Sequence, residues 1–168
     1  MARRAISQRS ITRLEEFRHL AEQYIRIIGH HDRYPIRRLL QELHQLVPAL
    51  YAAGVRLPSP LSKRQVKPDR VSLEEWRRLV LSLRRRLGNR DWYREVFDAY
   101  DRSDRGVVIG SLADDFADIY GDLQYGLSCW RQGDRDEAAW QWRFGADYHW
   151  GEHATSAMRA LYWLHGGH

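Results

Sequence analysis

Apolar residues recur at helical spacing along most of the chain. Ile11, Leu14, Phe17, Ala21, Ile25 and Ile28 fall three or four apart, which predicts an amphipathic helix over residues ~8–30. A second stripe is made by Leu39, Leu40, Leu43, Leu46, Val47, Leu50 and Tyr51. Pro35 suits its first turn and Gly54 its end, while Pro48 within it is expected to kink or split the helix. Ser72 and Glu75 form a capping box ahead of a third stripe, Trp76, Leu79, Val80, Leu83 and Leu87. A short helix is expected from Asp91 to about Tyr100, and then a turn with a brief apolar run over residues 101–110. Ser111 caps the next helix, which ends at Gly133. Asp134 or Asp136 opens a last helix expected to reach His165, roughly 30 residues and longer than most.

These elements predict an all-α, single-domain bundle of five to six helices with a long C-terminal helix, spanning residues 1–168. Residues 1–8 read as a disordered start. Residues 55–71 hold three prolines among cationic residues and read as an exposed loop.

Composition adds limits. Hydrophobic residues make up 43% and charged residues 29%, enough of each for a packed core. The single cysteine, Cys129, cannot form an internal disulfide, and no apolar run is long enough to span a bilayer. The basic N-terminus lacks an apolar segment of the secretory kind, so a cytoplasmic location is expected. Charge is uneven. Residues 1–90 hold 20 Lys+Arg against 8 Asp+Glu, and residues 91–168 hold 7 against 14. Either basic and acidic helices pack together, or the basic half meets an acidic partner.

The most informative segment is the last third. Asp114, Asp115, Asp118 and Asp122 fall within about one quarter of a helical wheel, opposite a stripe of Leu112, Phe116, Ile119, Leu123 and Leu127. Three readings follow: a solvated polar face, ion pairs with the arginine-rich helices, or a cation site. D-D-x-x-D presents carboxylates on successive turns, as a divalent metal requires. On the final helix, Trp140, Phe144, Trp150, Ala154, Met158, Leu161 and Tyr162 form a broad apolar face, with Trp142 on its shoulder. Arg143 and Asp147 lie inside that face and are expected to pair. His149 and His153, four apart, either bond to carboxylates and backbone or reach one metal. If the last two helices pack antiparallel, Asp118, Asp122, His149 and His153 share a cleft and form a candidate divalent-metal site.

At these residues the chain resembles a bacterial family, DUF5063, a domain of unknown function. The matching text is GSLADDFADIYGDLQYGL at 110–127, AWQWRFGADYHWGEHATSAMRAL at 139–161 and LVPALYAAGVRLP at 46–58. The resemblance implies a small, helical, soluble bacterial protein with no assigned activity. Its motif positions include Asp114, Asp115, Asp118, Tyr120, Asp122, Trp142, Arg143, His149, Trp150 and His153.

The function expected first is a non-enzymatic interaction or adaptor module with a protein partner. The alternative is a metal-dependent hydrolase using the Asp/His cluster. A third reading is nucleic-acid binding through Arg77, Arg78, Arg84, Arg85 and Arg86. The chain has no glycine-rich phosphate loop, nucleophile elbow or cysteine-based zinc spacing, which lowers the expectation of an enzyme. No membrane association is expected.

Overall fold

A computed structural model describes residues 8–58, 70–96, 100, 101, 103 and 106–166. Most of the expected disordered start and of the expected 55–71 loop lies outside these residues. The described chain holds six α-helices: α1 (Gln8–Gly29), α2 (Ile36–Gly54), α3 (Leu73–Leu87), α4 (Leu112–Arg131), α5 (Arg135–Tyr148) and α6 (Trp150–Leu164). A two-stranded antiparallel sheet, β1 (Trp92–Glu95) and β2 (Val108–Ser111), precedes α4. The fold is mostly all-α.

The central element is α4, which packs against α1, α3, α5 and α6, while α2 closes the bundle against α1 and α6. The core forms where the stripes of α1, α2 and α4 meet the tryptophans of α5 and α6. Phe17 lies 5.0 Å from Trp142 and 5.9 Å from Trp150, ring centre to ring centre. Each buried indole has a polar partner: Trp142 Nε1 donates to the Leu123 carbonyl at 3.2 Å, and Trp150 Nε1 to the Trp142 carbonyl at 2.9 Å. The packing admits little volume. A Cβ on Gly126 would sit 2.0 Å from Trp142 Nε1, so only glycine lets α5 approach α4 there.

Three local expectations are corrected. Pro48 does not split α2, which continues from Ile36 to Gly54. The missing N–H frees one carbonyl, a small loss beside the burial of six stripe residues, Leu39, Leu40, Leu43, Leu46, Val47 and Leu50. The segment after Asp91 is a strand, not a helix. Its Trp-Tyr-Arg-Glu alternation leaves Trp92 and Arg94 exposed, with Tyr93 and Glu95 half-buried, and the apolar run at 108–110 supplies the pairing partner.

The third correction bears on the site. The expected single C-terminal helix is two helices, broken at His149, whose backbone lies at φ −151°, ψ −85°. Trp150 turns back beneath the Trp142 carbonyl, and the turn is close-packed. A Cβ on Gly145 would meet the Trp150 ring at 2.4 Å, and one on Gly151 the Ala146 carbonyl at 1.9 Å. Within α5, Trp142, expected on the shoulder of the apolar face, is fully buried, whereas Phe144, expected inside that face, is exposed.

Candidate functional site

The arc of aspartates on α4 is opposite the helix's own apolar stripe, yet it is not a solvated face. It is covered by α3, β1 and α6, and Asp115 is almost completely buried. Each aspartate meets a different donor. Asp114 accepts from Arg84 of α3 at 2.8 Å. Asp115 accepts from the Tyr93 hydroxyl at 2.6 Å and lies 3.0 Å from Nδ1 of His153. Asp118 accepts from Trp76 Nε1 at 2.9 Å, with His153 Nε2 3.5 Å away. Asp122 lies 2.7 Å from Nδ1 of His149. The two imidazoles stand edge to face, 5.2 Å apart.

The break at His149 makes this arrangement. His149 ends α5 and reaches Asp122, while His153, one turn into α6, bridges Asp115 and Asp118. A second layer completes the seam. Glu95 of β1 accepts from Ser156 at 2.7 Å and Arg159 at 2.8 Å, tying the strand to α6. Gly110 sits across the ladder from Tyr93, and a Cβ there would meet the phenol ring at 2.4 Å. Glycine at this register lets the ring lie over the strand and point its hydroxyl at Asp115.

Burial sets the electrostatics. Desolvation raises the carboxyl of Asp115 above its ordinary value, against the opposing pull of His153 and Tyr93. Desolvation raises Asp118 as well, partly offset by His153 and Trp76. Burial opposes charge on His153, but the bond to Asp115 and the fields of Asp118 and Asp115 outweigh it and raise its pKa. The bond to Asp122 raises His149 against its own desolvation. Tyr93, buried beside Asp115, is pushed far up and stays a phenol that donates. The seam therefore holds protons more firmly than the same side chains in water.

The family model of DUF5063, described as a domain of unknown function, matches residues 11–166. The chain belongs to the DUF5063 family. No curated protein matches it. Among solved structures it is similar to the crystal structure of protein BF1032 from Bacteroides fragilis. The two share 18% identity with a TM-score of 0.79, covering 93% of this chain and 94% of that one. At that identity the likeness concerns the fold.

The DUF5063 chain thus brings together Asp115, Asp118, Asp122, His149 and His153. Asp114 stands at the end of the seam, held by Arg84. Arg143 takes a different role: it pairs with Asp147 at 2.8 Å and donates to the Val55 and Leu57 carbonyls, fastening α5 to the end of α2. Among the described residues, no three His, Cys, Asp or Glu side chains are grouped as ligands for one ion. The arginines of α3 do not form one basic surface. Arg77, Arg78 and Arg85 are exposed, but Arg84 turns inward to Asp91 and Asp114, and Arg86 donates to the Tyr34 carbonyl.

Sequence reasoning missed Trp76, Asp91, Tyr93, Glu95 and Ser156. The period-two alternation at 92–95 was the available signal for Tyr93 and Glu95. Asp91 is buried and accepts from Ser111 Oγ at 3.0 Å and from the Ala113 N–H at 2.8 Å, so it helps cap α4 from another segment. No local pattern marks Trp76 or Ser156.

Two open pockets flank the seam. One of about 360 Å³ is lined by Trp76, Asp118, Asp122 and His149. The other, about 310 Å³, shares Asp122 and His149 and extends to Tyr125, Phe144 and Tyr148.

Proposed function

We propose that this DUF5063 protein is a non-enzymatic interaction module that binds a protein partner through α5. The carrying observation is the ladder Trp140–Phe144–Tyr148 on the outer face of that helix. The rings follow at intervals of four residues, 4.8 and 5.0 Å apart, with Phe144 46% and Tyr148 72% exposed. An amphipathic, pre-ordered aromatic row loses little entropy on binding, and aromatics of this kind dominate interface energetics. The pocket beside Phe144 and Tyr148 offers a recess for a partner's side chain. The pairing of the four aspartates with protein donors further supports a structural role for the polar seam. The buried Cys129 and the bacterial origin of the structural neighbour support action in a bacterial cytoplasm.

Site-specific photo-crosslinking tests the proposal. A crosslinking residue in place of Tyr148 captures a defined protein in cells, while the same residue at exposed Gln45 of α2 does not. Phe144→Ala with Tyr148→Ala weakens the purified complex by about 10- to 100-fold without lowering the thermal midpoint. Equal capture from both positions would sink the reading. The metal-dependent hydrolase is tested separately, by metal analysis of untagged protein. Stoichiometric metal that is lost in both Asp118→Asn and His153→Ala would replace the interaction module with that alternative.

A further inference from the structure

A pocket of about 520 Å³ lies between β1 and the end of α6, away from the α5 ladder in the residues it uses. Its aromatic wall comes from Trp92, Tyr93 and Trp163, and its charge from Arg90, Arg94 and Arg159. No carboxylate lines it. Arg159 is already neutralised by Glu95 at 2.8 Å. Among the described residues, neither Arg90 nor Arg94 has a carboxylate partner. Strand alternation puts Trp92 and Arg94 on the same exposed face, two residues apart. Trp92 is held from one side by Arg84, whose guanidinium carbon lies 4.9 Å from the ring centre. Trp92 and Trp163 nevertheless remain 54% and 56% exposed.

Free guanidiniums over an indole-lined recess match one ligand chemistry: a planar apolar ring for the indoles, bearing an oxyanion for the arginines. The volume lies within the range of small-molecule sites. We propose that this pocket binds a small aromatic anion, with Trp92 and Trp163 against the ring and Arg90 and Arg94 on its carboxylate or phosphate. The site also touches the polar seam. Tyr93 lines the pocket and its hydroxyl donates to Asp115, and Arg159 lines it while holding Glu95.

The test titrates the full chain with 2-naphthoate, 2-naphthyl phosphate, neutral 2-naphthalenemethanol and inorganic phosphate, following the indole N–H resonances of Trp92 and Trp163. Saturable shifts of both indoles are expected with one or both naphthyl anions, and which anion binds tells carboxylate from phosphate. The neutral alcohol is expected to bind at least about tenfold more weakly, a difference worth one charge-assisted contact. Arg90→Gln and Arg94→Gln each weaken the anion by about tenfold at an unchanged thermal midpoint. The proposal is overturned if the indoles do not move at millimolar anion, if the alcohol binds equally well, or if both variants bind like the parent. Free phosphate binding as tightly as naphthyl phosphate would overturn it too, because the aromatic wall would then contribute nothing. The α5 interaction reading uses other residues, so either proposal can fail alone.

Discussion

The aspartate face of α4 and the arginine face of α3 carry the same kind of signal, one sign of charge gathered on a helix, yet they end differently. On α4 the charges are drawn into the protein and each carboxylate is given its own donor: Arg84, Tyr93, Trp76, His153 and His149. On α3 the charges separate. Arg84 and Arg86 turn inward, while Arg77, Arg78 and Arg85 remain in solvent. The difference lies in the length of the side chains and the position of the helix. An aspartate is too short to leave a buried helix, so a central α4 must bring donors to it. An arginine on a peripheral helix can extend to water or reach back to a carbonyl.

Asp115→Ala tests that contrast most severely. It removes the nearer acceptor of the half-buried Tyr93 hydroxyl, which keeps only Glu95 at 3.3 Å, and leaves His153 with Asp118 alone, and is expected to cost about 3 kcal/mol in denaturant unfolding. Replacing the trio together (Asp115→Leu, Tyr93→Phe, His153→Leu) is expected to recover most of that loss, since no polar group is then stranded. A triple variant no more stable than the single one would show that the seam contributes beyond mutual satisfaction.

Arg84→Ala comes next in size. It removes the guanidinium from Asp91, Asp114 and the Trp92 ring, and is expected to cost about 1–2 kcal/mol by the same measurement. It shows how far the basic helix stabilises the fold through its one inward-facing pair set.

The pH dependence follows from the seam. His149 and His153 both have raised pKa values in the folded chain. Their pairs therefore contribute fully below the ordinary histidine value of about 6.5, and the contribution is lost as pH rises through the raised values. Asp115 and Asp118, also raised, carry the same sign in their own, more acidic window. The thermal midpoint is expected to fall between about pH 6 and pH 8, and His153→Gln to flatten that slope while costing about 1 kcal/mol at the acid end. A slope unchanged in His153→Gln would place the titrating group elsewhere.

The smallest effect sharpens the other side of the comparison. Arg77→Ala with Arg85→Ala is expected to move stability by no more than about 0.5 kcal/mol, because neither side chain has a buried partner.

Local pattern alone determined a good deal. The stripes of α1, α2, α3 and α4, the capping box at Ser72 and Glu75, the cap at Ser111 and the mostly helical class all follow from spacing and cap chemistry between near neighbours. The clustering of the four aspartates on one arc is likewise a property of one helix. The rest required distant segments. Whether the arc faces water or protein depended on α6, β1 and α3 closing over it. The break at His149 came from Trp150 seating against Gly145 and beneath Trp142, a packing contact that helical periodicity cannot signal because every residue through the break also fits a continuous helix. Tyr93 and Glu95 joined the seam only because a second strand, whose paired residues lie 13 to 19 positions further along, held β1 extended. Sequence specifies which charges share a face, since that is fixed by 3.6 residues per turn. Tertiary packing decides what that face meets, since burial is settled by all the elements together.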